Sequence, residues 1–181
     1  TRNGKNLVRG SYNILGNIDT KPINDLLENY DDWDNKYTRD RIKAYEVHTD
    51  TMVIPLQWSF ESLGNPELIA PKTEFYDKYY IPEFFDQLYD IIEPGEPVRI
   101  LLALLKPGGL IPFHSDAPGI TANATIHIPI ITTEDVRFTV GIKERHIPQG
   151  ELCRINNDKP HQVVNGSDKD RVHLIVDYKF F

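Results

Sequence analysis

Seven short β-prone runs fill the second half of the chain, at 98–105, 110–113, 124–131, 136–140, 150–155, 161–164 and 171–178. Turn-forming clusters separate them, among them Pro107-Gly108-Gly109, Ala117-Pro118-Gly119, Thr132-Thr133-Glu134-Asp135, Asn156-Asn157-Asp158-Lys159-Pro160 and Asn165-Gly166-Ser167-Asp168-Lys169. Short strands at regular spacing bury their apolar faces by closing into a sandwich or barrel, and for about eight strands the jelly roll is the common closed form. The first half is mixed. Strands are expected at 12–15, 41–48 and 52–60, and a helix over 23–30, where Ile23, Leu26, Leu27 and Tyr30 fall at helical spacing. The aromatic-rich stretch 73–92 reads as helix that Pro82 kinks or splits. The expected fold is mainly β with flanking helices, a cupin-like jelly roll. It forms a single domain over 1–181, in which a mixed part, 1–95, packs on a β core at 96–181.

Composition narrows the function classes. The 181 residues carry 20 Lys+Arg against 27 Asp+Glu, a net charge of −7, and 40% are hydrophobic. That is enough apolar material for a real core. A net-acidic chain lacks the basic stripe of nucleic-acid binders, so no nucleic-acid partner is expected. No apolar run reaches the ~18 residues that span a bilayer, and the polar residues 1–6 do not read as a signal peptide. One cysteine, Cys153, excludes an internal disulfide and a CxxC motif, so a cytoplasmic location is expected. Asp31, Asp32 and Asp34 read as a solvated loop without EF-hand spacing. The oligomeric state is not legible.

The pattern His-x-Asp occurs twice, at His48-Thr49-Asp50 and His114-Ser115-Asp116. On an extended chain residues i and i+2 point to the same side, roughly 6.5 to 7 Å apart, so both can close on one metal at about 2 Å. His114 and Asp116 lie in the β-rich half, directly after a turn, and are the preferred pair. The third ligand should come from a strand distant in sequence, and His161 is the candidate. If 165–169 is a hairpin loop, His161 faces His173, and Arg171 lies one same-face step from His161, within reach of a carboxylate near the metal. Two His and one carboxylate form the facial triad of non-haem Fe(II) oxygenases, and an inward Arg can hold the far end of a dicarboxylate co-substrate. His48, His146 and His173 read as structural or as surroundings of the site. Cys153 reads as a buried strand residue, Trp33 and Trp58 as packing. The Asn-x-Thr and Asn-x-Ser sequons at Asn123 and Asn165 read as coincidences.

These landmarks resemble the aspartyl/asparaginyl β-hydroxylase-like branch of the Fe(II)- and 2-oxoglutarate-dependent dioxygenases. The resemblance runs from about 99 to 178, through Lys106-Pro107-Gly108-Gly109, Pro112-Phe113-His114-Ser115-Asp116, His127-Ile128-Pro129-Ile130, Gly150-Glu151-Leu152, Asn156-Asn157-Asp158-Lys159-Pro160-His161 and 170–178. It implies a double-stranded β-helix with His114, Asp116 and His161 on iron, and Arg171 on the distal carboxylate of 2-oxoglutarate. It also implies O2 as oxidant and hydroxylation of a C–H bond in a small-molecule or peptide substrate, either an amino acid or an Asp or Asn side chain of a protein. Family members commonly carry an arginine two residues before the His of His-Ile-Pro; here that position is Thr125. His127 and Asn123, on the same strand face as Thr125, are the candidate substitutes for holding the proximal carboxylate. Two rivals use the same fold: a zinc-dependent cupin-like hydrolase or isomerase on the same ligands, and a metal-free binding module.

Overall fold

A computed structural model describes residues 10–117, 120 and 123–181. In chain order the elements are β1 (Tyr12–Asn17), α1 (Lys21–Asn29), α2 (Lys36–Ala44), a 3-10 turn (Glu46–His48), β2 (Thr51–Gln57), α3 (Glu61–Gly64), α4 (Tyr76–Tyr79) and α5 (Pro82–Ile91). Then follow β3 (Gly95–Leu105), β4 (Leu110–His114), β5 (Ala124–Ile131), β6 (Val136–Val140), β7 (Lys143–Arg145), β8 (Glu151–Ile155), β9 (His161–Asn165) and β10 (Arg171–Phe180). They make two antiparallel sheets, a six-stranded one in the order β1-β8-β5-β10-β3-β2 and a four-stranded one in the order β4-β9-β6-β7. This is the expected jelly roll with flanking helices. Every expected run of the second half forms a strand, and the three-residue β7 is an addition. β1 and β2, from the first half of the chain, form the two edges of the large sheet. Residues 1–6, and Pro118 and Gly119 of one expected turn, lie outside the described residues.

Strand parity decides what each face of the large sheet does, because successive side chains point to opposite faces. The even residues Ile100, Leu102 and Leu104 of β3, Ile126, Ile128 and Ile130 of β5, and Val172, Leu174 and Val176 of β10 share one core cluster with Ile23 of α1 and Phe84, Phe85 and Leu88 of α5. The odd residues face the smaller sheet. Toward one end they meet a cluster of Leu105, Ile111, Phe138, Val140, Cys153 and Val163, and toward the other a cluster of Val53, Trp58, Leu63, Leu101 and Ala103. Between these clusters the odd positions are polar. Register places Arg99, Asp177 and Thr125 in one row across β3, β10 and β5. Arg99 Nε donates to Asp177 Oδ2 at 2.7 Å, and Thr125 Oγ1 donates to Asp177 Oδ1 at 2.7 Å.

Two expectations are corrected and one is met. Residues 41–48 are not a strand. Ile42 and Ala44 alternate with Arg41 and Lys43 and mimic one, but the Asn35 side chain accepts from Thr38 N at 3.0 Å and caps a helix, with Arg41 and Lys43 in its last turn. The stretch 73–92 is split at Pro82 as expected: Tyr80 and Ile81 are extended before Pro82, which takes the first helical turn of α5. Finally, β9 and β10 are not a hairpin. β10 is already paired on both sides, with β3 and β5, whereas β9 lies between β4 and β6 in the other sheet. The connecting loop is a corner pinned by buried Asn165, whose Nδ2 donates to the carbonyls of Leu105, Lys106 and Lys169.

The Arg99–Asp177 row gives a stability test. Asp177→Ala leaves a fully buried guanidinium without its carboxylate, and the expected loss is about 3–5 kcal/mol, read as a lower urea midpoint. Lys179→Ala, which breaks the exposed Lys179–Glu67 pair two residues further along the strand, is expected to leave the urea midpoint essentially unchanged.

Candidate metal centre

β4 and β9 are neighbours, and their register sets His114 directly opposite His161, with ring centroids 4.4 Å apart. Asp116, two residues past His114, closes on both rings. Its Oδ1 lies 3.6 Å from His114 Nε2 and its Oδ2 lies 3.5 Å from His161 Nε2. The donor atoms of the three residues all fall within 4.8 Å of one another. Each ring is held by its other nitrogen: His114 Nδ1 lies 2.8 Å from the Pro112 carbonyl and His161 Nδ1 lies 3.1 Å from that of Lys159. A carbonyl only accepts, so both Nδ1 atoms carry a proton and both Nε2 atoms face Asp116, as N–H donors to the carboxylate without an ion and as lone pairs once a metal displaces those protons. This is the tautomer that a metal-ligating imidazole needs. Burial pushes the Asp116 carboxyl up, but the hydrogen bonds and charges of His114 and His161 outweigh it and hold it well below the usual carboxylate range. Burial lowers His161, and Asp116 reverses this and raises it. The donor set therefore fits a divalent ion.

The three residues open onto a cavity of about 450 Å³ between the two sheets. Arg171, 2% exposed, lines it from the large sheet, and its Nε and Nη1 have no hydrogen-bond partner. Its guanidinium comes from the sheet opposite His161 rather than from a hairpin partner. Burial, and then the charge of Arg41, pull it down to about 9, which leaves it cationic at neutral pH. His127 also lines the cavity, with its Nδ1 3.1 Å from His173 Nδ1. Burial first and Arg171 second push His127 down to about 3, and burial holds His173 neutral as well. One of these Nδ1 atoms must donate. His173 Nε2 is buried without a partner, and an orphaned acceptor is tolerated more readily than an orphaned N–H. The proton between them is therefore on His173, and His127 keeps its own on Nε2, free to donate.

The other expected residues divide. Thr125 lines the cavity, but its hydroxyl is committed, donating to Asp177 and accepting from Asn157 Nδ2 at 3.1 Å. Asn123 sits just before β5 begins and is not among the residues lining the cavity; its carbonyl accepts from Asn157 Nδ2 at 3.0 Å. The second His-x-Asp is split. Asp50 pairs with Lys106 at 2.7 Å and accepts from Leu110 N at 3.0 Å, fixing the start of β4. His48, however, lines the cavity with its ring centroid 5.8 Å from that of His114. Burial first and Arg41 second push it down to about 2, and its Nδ1 is buried without a partner. Arg41 lines the cavity too, and sequence patterning gave no sign of it because 41–48 reads as a strand. Trp58 packs in the cluster of Val53, Leu63, Leu101 and Ala103, as expected, and also lines the cavity. His146 stands apart, 3.2 Å from the Val136 carbonyl, and Cys153 is buried in the core.

The sequence model of the family described as aspartyl/asparaginyl beta-hydroxylase matches residues 80–179, more than half of the chain. The chain belongs to that family. Among solved structures it resembles a viral collagen prolyl hydroxylase from Paramecium bursaria Chlorella virus-1, with a TM-score of 0.55 at 11% identity, over 97% of this chain and 99% of that one. A Pseudomonas putida prolyl-4-hydroxylase gives 0.54 at 14% identity, over 97% and 96%. A protein of the 2OG-Fe(II) oxygenase family from Burkholderia pseudomallei gives 0.51 at 14% identity, over 80% and 79%. At these identities the likeness is one of fold. No match is found among curated proteins. Family and fold together indicate a 2-oxoglutarate- and Fe(II)-dependent oxygenase, a hydroxylase by class, and its family-matched segment contains His114, Asp116, His161 and Arg171. No helix among the described residues is long and apolar enough to cross a membrane.

For this β-hydroxylase-family member, Mn(II) is expected to raise the melting temperature of the wild-type chain, since an ion that binds only the folded state stabilises it. His114→Ala and His161→Ala should each abolish that rise, and Asp50→Ala should keep it. A rise of undiminished size in His161→Ala would exclude the triad.

Proposed function

We propose that the protein holds Fe(II) on His114, Asp116 and His161 and binds 2-oxoglutarate with its distal carboxylate on Arg171. It would then hydroxylate a C–H bond of an amino acid or of an Asp or Asn side chain in a protein. The observation that carries this reading is the pairing of two features in one cavity: three donor atoms turned to a common point, and a buried guanidinium whose Nε and Nη1 have no partner. A water-activating zinc site accounts for the first but gives Arg171 nothing to hold. With Fe(II), 2-oxoglutarate and O2 bound, the site would supply hydroxylation coupled to conversion of 2-oxoglutarate to succinate and CO2.

The chain's own residues bind, orient and exclude water. The Pro112 and Lys159 carbonyls fix both ligand rings. Arg171 offers a planar two-pronged donor to a carboxylate. Where family members commonly carry an arginine at the Thr125 position, His127 stands two residues on and on the same strand face, with a neutral ring whose Nε2–H can donate to the proximal carboxylate. The cluster of Trp58, Leu63, Leu101 and Ala103 beside the polar groups keeps the cavity poor in water and strengthens each electrostatic contact inside it.

Arg171→Met keeps bulk and removes a charge-assisted contact worth roughly 1.5–3 kcal/mol, so the KM for 2-oxoglutarate in succinate formation should rise about 10- to 150-fold. Mn(II) binding should be unchanged. A KM within twofold of wild type would place the co-substrate elsewhere.

A further inference from the structure

We infer that Arg41 is the receptor for a carboxylate on the primary substrate, so that the enzyme takes a small carboxylic acid and rejects the matching neutral amide. The inference rests on the reading above, in which Arg171 and the metal triad take 2-oxoglutarate. Arg41 comes from α2, outside the family-matched segment, and reaches the same cavity as Arg171 and Asp116. Its Nη1 donates to Thr51 Oγ1 at 3.0 Å, which anchors the side chain, and it forms no ion pair among the described residues. Burial pulls it down to about 10 against the opposing charge of Asp116, so it stays cationic at neutral pH.

Charge balance says what is missing. Arg41 and Arg171 face the cavity with half-buried Asp116 as their counter-charge. Asp177 is matched by Arg99, and Glu46 is exposed at the rim, where water screens it. A divalent ion on the triad raises the excess to three positive charges, and the dianion 2-oxoglutarate removes two. One guanidinium, that of half-buried Arg41, is left facing the cavity without an anion, a state that a monoanionic substrate relieves. A carboxylate matches the planar guanidinium fork, whereas a phosphate dianion brings a second charge that nothing remaining offsets. Trp58, Leu63, Ile120 and Ile175 add apolar wall, suited to a compact apolar body behind the carboxylate.

Isovalerate and isovaleramide are matched probes of this site. The full chain, loaded with Zn(II) and saturating 2-oxoglutarate so that it cannot turn over, is followed by NMR through the arginine Nε–H signals and the Trp58 indole N–H. 2-Oxoglutarate should move the Arg171 signal. Isovalerate added afterwards should move those of Arg41 and Trp58, and isovaleramide should bind at least tenfold more weakly. In Arg41→Gln, isovalerate affinity read at Trp58 should fall at least tenfold while 2-oxoglutarate affinity stays within twofold. Equal binding of acid and amide by wild type, or undiminished isovalerate binding by Arg41→Gln, overturns the inference. So does a loss of 2-oxoglutarate affinity in that variant, because both guanidiniums would then serve the co-substrate. If 2-oxoglutarate fails to move Arg171, the parent reading fails, and the response of Arg41 to isovalerate still decides this one.

Discussion

The parity of three adjacent strands, β3, β10 and β5, governs the rest of the molecule. Their even residues are almost all Ile, Leu or Val and are covered by α1 and α5. Because that face is sealed by helices, the odd face need not supply the whole core and can carry Arg171, His173, Asp177, His127 and Thr125. A slip of one residue would exchange the two faces, turning cations into the helix interface and isoleucines into the cavity. The cross-strand row Arg99–Asp177–Thr125 works against such a slip, since a buried charge pair with a hydroxyl on its second oxygen has no equivalent in a shifted register.

The second sheet adds what the first lacks. The paired imidazoles stand on β4 and β9, while the guanidinium of Arg171 stands on β10 of the other sheet, so the gap between the sheets is itself the site. Neither imidazole is free to turn, because a backbone carbonyl two residues away holds each Nδ1. The three donor groups are thus oriented by the fold itself, in a cavity where two arginines outnumber the one carboxylate that no arginine or lysine pairs. Such a cavity favours anions, and His48 and His127, which also line it, are held neutral and do not add to the excess of positive charge.

Much of this was legible in the sequence, for identifiable physical reasons. His114 and Asp116 share a face by the two-residue period of an extended chain, and the β-prone runs announce themselves by turn residues. Arg171 was singled out through a hairpin that does not form, and it reaches the site because the sandwich brings β10 opposite β9. Arg41 is hidden, since the alternation of Ile42 and Ala44 with Arg41 and Lys43 imitates a strand and only the Asn35 cap marks the helix. His48-x-Asp50 could not be divided by spacing, because the two residues part at the end of a 3-10 turn, one toward the cavity and the other toward Lys106. The work of Thr125 depends on Asp177 and Asn157, partners 52 and 32 residues away that no local pattern connects.

The central claim is that two Nε2 atoms and one carboxylate share a single ion. Crystals grown anaerobically with Fe(II) and measured at the iron absorption edge test it directly. The account predicts one anomalous peak, about 2 Å from His114 Nε2, His161 Nε2 and an Asp116 oxygen, with 2-oxoglutarate, when added, lying between that peak and Arg171. A peak at other residues, on an Nδ1 atom, or no peak at full iron loading would contradict it.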